Sequence, residues 1–172
     1  MKPILYILFL LVIPSTVNGQ VFYEQIAFDY FKEVISDSVY GNKTLFKVEP
    51  EIVEYSPIYR PVCHQNDVFR QDWKDLFSKD SSGIKTIESI NKHYKPLYSS
   101  VDNNKFPKPN FKTMTGIWKQ ARKVNVSEPV ILKEEDYIVT VMVHKPHGLD
   151  NYFIEVSKDG EVTKWCKGGV VY

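Results

Sequence analysis

The sequence predicts an α+β fold: an antiparallel sheet, largely a C-terminal meander, with an N-terminal helix and shorter helices packed on one face in a roll-like layout. Three observations predict it. Residues 21–35, VFYEQIAFDYFKEVI, repeat apolar side chains four positions apart. Residues 137–144, YIVTVMVH, are apolar at nearly every position, and Asp159-Gly160 separates two strand-like runs near the C-terminus.

The chain opens Met1-Lys2, runs apolar from Ile4 to Ile13, and reaches Val17-Asn18-Gly19 before Gln20. A charged start, an apolar stretch shorter than the roughly 20 residues of a membrane span, and short side chains before the cut are what a secretory peptidase reads. The expected organisation is a signal peptide over 1–19 and a single domain over 20–172. The product would be exported, periplasmic or secreted, with no membrane anchor after cleavage. Cleavage removes Lys2 and no acid, so 22 basic and 21 acidic residues become 21 and 21. That balance gives no long-range pull toward nucleic acid or an anionic membrane.

In the first helix, Phe22, Ile26, Tyr30 and Val34 form one row and Tyr23, Ala27, Phe31 and Ile35 a second, with Glu24, Gln25, Asp29, Lys32 and Glu33 opposite. Ser36-Asp37-Ser38 and Gly41-Asn42 end it and begin a loop. Residues 44–55, TLFKVEPEIVEY, are rich in strand formers but interrupted by Pro50, which predicts one or two short edge strands. Asn66 or Asp67 can cap a short helix carrying Phe69, Trp73 and Leu76 or Phe77, and Ile84, Ile87, Ile90 and Tyr94 have near-helical spacing. Residues 99–110 form a polar, proline-bearing loop, and 111–126 fits strand or helix equally. The run 137–144 reads as a strand covered on both faces. With Asp159 and Gly160 as the central turn residues, Val156 faces Thr163, Glu155 faces Lys164, Ile154 faces Trp165 and Phe153 faces Cys166.

The order of these elements is similar to that of α+β rolls of the cystatin-like and NTF2-like kind. The likeness is one of layout, without a shared motif.

Few residues suggest chemistry. Cys63 adjoins His64, but a nucleophile needs a base within hydrogen-bond reach, and sequence neighbours often point apart. Two cysteines in an exported chain instead favour a Cys63–Cys166 disulfide. It would close a loop of about 100 residues, contributing on the order of 4 kcal/mol through the unfolded state. His144, His147 and Asp150 have a spacing that can ligate zinc, although Pro146 and Gly148 mark a turn with solvated imidazoles. Lys133-Glu134-Glu135-Asp136 and the acids at Asp72 and Asp75 read as solvated charge rather than a glycosidase pair. Neither a phosphate-binding glycine loop nor a GxSxG elbow occurs. Asn42-Lys43-Thr44 and Asn125-Val126-Ser127 match the glycosylation sequon.

No catalytic residue is assigned and no cofactor is implied. With 14% aromatic residues, including 11 tyrosines, the expectation is a non-enzymatic exported domain that binds a protein, peptide or small ligand on its sheet face or loop tips. The alternative is a small secreted enzyme using Cys63/His64 or a His144/His147 metal site. Mass analysis of unreduced, alkylated protein from the exporting cell is expected to show an N-terminus at Gln20 and no labelled cysteine. Two labelled thiols would eliminate the bridge.

Overall fold

The computed structural model describes residues 21–54, 97–113, 121–131 and 136–171. Helix α1 (Tyr23–Tyr30) continues through a π-helical turn (Phe31–Ile35) into α2 (Ser36–Tyr40). The chain stays in right-handed helical conformation at both junctions, so the three segments form one rod. It ends at Gly41, whose φ of 75° is readily reached only by glycine and whose N–H donates to the Asp37 carbonyl at 3.0 Å.

The buried stripe of this rod is rotated from the one that apolar spacing predicts. The row Tyr23, Ala27, Phe31 and Ile35 is buried as expected, but the row Glu24, Phe28, Lys32 and Ser36 joins it, each fully enclosed. Val34, from the other expected row, is 49% exposed. Polar side chains can be enclosed here because the 102–108 loop meets them with hydrogen-bonding groups. Gln25 Nε2 donates to the Asp102 carbonyl at 3.0 Å, and its Oε1 accepts from the Asp102 N–H at 2.6 Å. Lys32 Nζ donates to the Asn103 carbonyl at 3.3 Å and lies 3.4 Å from Asp29 Oδ1.

The sheet holds β1 (Phe46–Val53), β2 (Phe111–Thr113), β3 (Arg122–Ser127), β4 (Val130–Ile131), β5 (Tyr137–Lys145), β6 (Gly148–Val156) and β7 (Val162–Val171). Its order is β2-β1-β3-β5-β6-β7, with β4 beside β5, and it does not close into a barrel. The expected antiparallel meander forms the C-terminal part of a mixed sheet: β1 runs parallel to both β2 and β3, and β3, β5, β6 and β7 are successively antiparallel. Parallel neighbours need a long crossover, and the chain between Val53 and Phe111 supplies the length. Nor is β1 an edge strand. Pro50 is accommodated because the β1–β3 register shifts between Val48 and Ile52, so the missing N–H falls at an irregularity. The Pro50 carbonyl accepts instead from Val101 N–H of the 97–110 loop at 2.8 Å.

Helix and sheet meet around aromatic rings. Phe31 contacts Phe46, Phe111 and Tyr152 at centroid separations of 6.1, 6.2 and 5.0 Å, and Phe46 stacks on Phe111 at 4.5 Å. Val124, Val126, Val139, Val141 and Val143 complete this core. Ile138 and Met142 on β5 and Leu149 and Phe153 on β6 are buried as well, outside that cluster. Residues 138–143 are therefore covered on both faces, as the apolar run predicts, while His144 at its end is exposed. The two expected helices at 66–77 and 84–94 lie outside the described residues.

The C-terminal hairpin keeps the expected pairs Glu155–Lys164, Ile154–Trp165 and Phe153–Cys166, but Val156 faces Val162, not Thr163. The turn is wider than two residues: Gly160 N–H bonds the Ser157 carbonyl, and Ser157 N–H bonds the Glu161 carbonyl. Gly160 has φ +88°, and a Cβ there would lie 3.1 Å from Ile26 Cδ1 and 3.3 Å from Val21 Cγ1. A left-handed residue and a bulge thus replace the tight turn.

Gly160→Ala is expected to destabilise by about 1–2 kcal/mol through its positive φ and the crowding at Ile26. Phe31→Ala is expected to cost about 3–5 kcal/mol by emptying the aromatic core. Urea unfolding monitored by circular dichroism measures both.

Candidate functional site

Two polar features lie beside the aromatic core. The first is a cleft of about 520 Å³ along the 103–113 loop and the start of β2, lined by Asn103, Asn104, Lys108, Phe111, Lys112 and Thr113. Its walls are held by the buried Lys32 and by Lys108, whose Nζ donates to the Lys32 carbonyl at 2.6 Å and pairs with Asp37 at 3.0 Å. Asn103 Nδ2 donates to the Phe111 carbonyl at 3.3 Å, while Asn103 Oδ1 is buried with no hydrogen-bond partner among the described residues. A buried acceptor left unsatisfied costs on the order of 1–3 kcal/mol. Lys112 and Thr113 are exposed at its rim.

The second lies where the helix ends. Tyr40, its last residue, donates to Asp150 Oδ2 at 2.7 Å and accepts from the Tyr152 hydroxyl at 2.9 Å. Lys145 Nζ sits 2.6 Å from Asp150 Oδ1, and Lys167 Nζ 3.3 Å from Oδ2. The Arg122 guanidinium stands 4.9 Å above the Tyr40 ring, and its Nη1 is buried with no hydrogen-bond partner among the described residues. Burial pushes the Asp150 carboxyl upward, but hydrogen bonds from Lys145 and Tyr40 and the charges of Lys167 and Lys145 outweigh it and hold it below the usual carboxylate range. Burial raises both tyrosines far above the ordinary phenol value, so they stay protonated donors.

On the opposite face of the sheet, β-register sets Lys112 beside Lys47 and Lys47 beside Lys123. Glu49 answers Lys47 at 3.4 Å and Lys123 at 3.1 Å. Although the predicted mature chain is neutral, this end of the sheet concentrates positive charge.

The residues that sequence reasoning singled out do not converge. His144 and His147 are exposed, whereas Asp150 is buried among tyrosine and lysines, so the suggested ligand set is not assembled. Burial and the nearby Lys123 lower the His144 pKa. Among the described residues, no group of three or more His, Cys, Asp or Glu side chains is placed to hold a metal ion. Cys166 is buried on β7 opposite Phe153. Cys63, His64, Asp72, Asp75 and 133–135 lie outside the described residues. Of the two sequons, Asn42 is exposed, but Asn125 and Ser127 are buried within β3, which closes the second to glycosylation of the folded chain. Sequence reasoning missed Tyr40, Arg122, Lys145, Tyr152 and Lys167, because separate segments bring them together and no local spacing marks them.

Comparison of the chain with protein-family models, curated proteins and solved structures returns no match. Among the described residues, no helix is long and apolar enough to cross a membrane.

Asp150→Asn is expected to destabilise by about 2 kcal/mol near neutral pH, since Lys145 and Lys167 lose their shared anion. With the folded pKa depressed below the unfolded value of about 3.9, Asp150's contribution is complete above that value and disappears as pH falls through the folded pKa. Melting curves should therefore show wild type and variant converging below about pH 4 and separating above it.

Proposed function

We propose that the chain is an exported, non-enzymatic binding domain that takes a small polar ligand in the 103–113 cleft. The observation that carries this reading is the unsatisfied Asn103 Oδ1 at a cleft of about 520 Å³, a size suited to a small molecule. The lining offers an amide acceptor, ammonium and hydroxyl donors, and the Phe111 ring, which is the chemistry of recognition. The walls are tied to the helix through Lys32, Lys108 and Gln25, so binding would require little ordering of the loop. Export rests on the signal-peptide pattern of residues 1–19. A Cys63–Cys166 bridge belongs to the same reading, with the buried position of Cys166 on β7 in its support.

The test is a ligand-observed NMR screen of amides, sugars and amino acids, followed by mapping on the amide resonances of Asn104, Lys108 and Lys112. A binder that shifts these resonances and loses at least about tenfold in affinity to Thr113→Trp, which fills the cleft from an exposed position, is the expected result. Ligands that bind Thr113→Trp and wild type equally, or a screen with no hit at these resonances, would overturn the reading.

A further inference from the structure

We infer that Arg122, Lys145 and Lys167 form an oxyanion-binding site at the helix-terminal end of the sheet, separate from the 103–113 cleft and suited to a phosphate or carboxylate group of a small solute. Lys145 and Lys167 both pair with Asp150, and Arg122 stands over the ring of Tyr40, which donates to the same carboxylate, so three cations gather around one anion. Asp150 spends both oxygens, Oδ1 on Lys145 and Oδ2 on Tyr40 and Lys167, and none on Arg122. Arg122 makes a face-on contact with Tyr40, and among the described residues its buried Nη1 has no acceptor. Burying a guanidinium nitrogen without an acceptor is unfavourable, and an oxyanion beside it would supply one.

The surrounding parts suit that role. The Lys145 and Lys167 side chains are 32% and 38% exposed, so a solute can reach them, while Asp150 at 6% fixes their ammonium groups from below. Lys167 also lies 5.8 Å from the Tyr40 and Tyr152 ring centroids, which holds its stem against a rigid wall. The three cations come from β3, β5 and β7. Trp165 stands 6.3 Å from Tyr152 and gives a native reporter.

The experiment titrates the full mature protein with inorganic phosphate, and separately with acetate, at ionic strength held constant with sodium chloride. It follows the Trp165 indole N–H resonance, assigned with Trp165→Phe. The expected result is a saturable shift with phosphate, acetate or both, which also tells which oxyanion is preferred. Arg122→Gln and, independently, Lys167→Gln should each weaken it by about tenfold or more, as expected for loss of a charge-assisted hydrogen bond. Lys167→Gln changes a partly exposed side chain and keeps the test available should Arg122→Gln fail to fold. A shift that follows ionic strength alone, no saturable shift with either anion, or unchanged affinity in a folded Arg122 or Lys167 variant would overturn the inference and leave the cluster a purely structural counterweight to Asp150 and the helix C-terminus. Thr113→Trp should leave this titration unchanged, which separates failure here from failure of the cleft reading.

Discussion

The seating of Phe31 on the sheet is the constraint from which the rest of the structure follows. Its ring touches Phe46 on β1, Phe111 on β2 and Tyr152 on β6, so one side chain fixes the helix against three strands that the sequence keeps far apart. Burying an aromatic side chain of this size contributes a few kcal/mol and excludes most alternative rotations of the helix. Once Phe31 points straight into the sheet, the neighbouring row through Phe28 and Lys32 turns inward too, and Val34 turns out. The π-helical turn spans these residues and brings Phe31, Lys32 and Ile35 together on the buried side.

That rotation has an electrostatic consequence at each end of the helix. Lys32 is drawn into an apolar environment and needs acceptors, which the Asn103 carbonyl and Asp29 provide; the 102–108 loop is thereby ordered, and the cleft takes its shape. Tyr40, at the other end, is carried over Asp150, and the buried carboxylate collects Lys145 and Lys167. In both places nearly every buried polar group finds a partner. The exceptions at these two places, Asn103 Oδ1 and Arg122 Nη1, fall where solvent-accessible polar groups adjoin them.

Much of the fold was legible from local pattern. The i, i+4 repeat around Phe31, the continuous apolar run of β5 and the Asp159-Gly160 signal all encode structure within a dozen residues, and the corresponding helix, strand and hairpin form. Pro50 misled because its exclusion from central strands has an exception at register shifts, and the shift depends on β3, about 70 residues away. Only the hairpin pair at the turn, that of Val156, moved by one residue, because Gly160 takes a left-handed conformation in a wider turn beside Val21 and Ile26. The candidate ligands His144, His147 and Asp150 were grouped by spacing alone, whereas strand alternation and the pull of two lysines separate Asp150 from the imidazoles.

By itself the sequence determined that residues 21–35 would be helical, that 137–144 would form a strand, and that Glu155 would meet Lys164, since hydrophobic periodicity and turn chemistry act over short stretches. Tertiary structure decided which helical row is buried, that β1 lies inside a mixed sheet, and that Tyr40, Arg122, Lys145, Asp150 and Lys167 share one end of it. Such choices depend on contacts between residues up to 127 positions apart, such as Tyr40 and Lys167. The free energy of such contacts depends on burial and on which partner arrives, and neither is written in the local order of side chains.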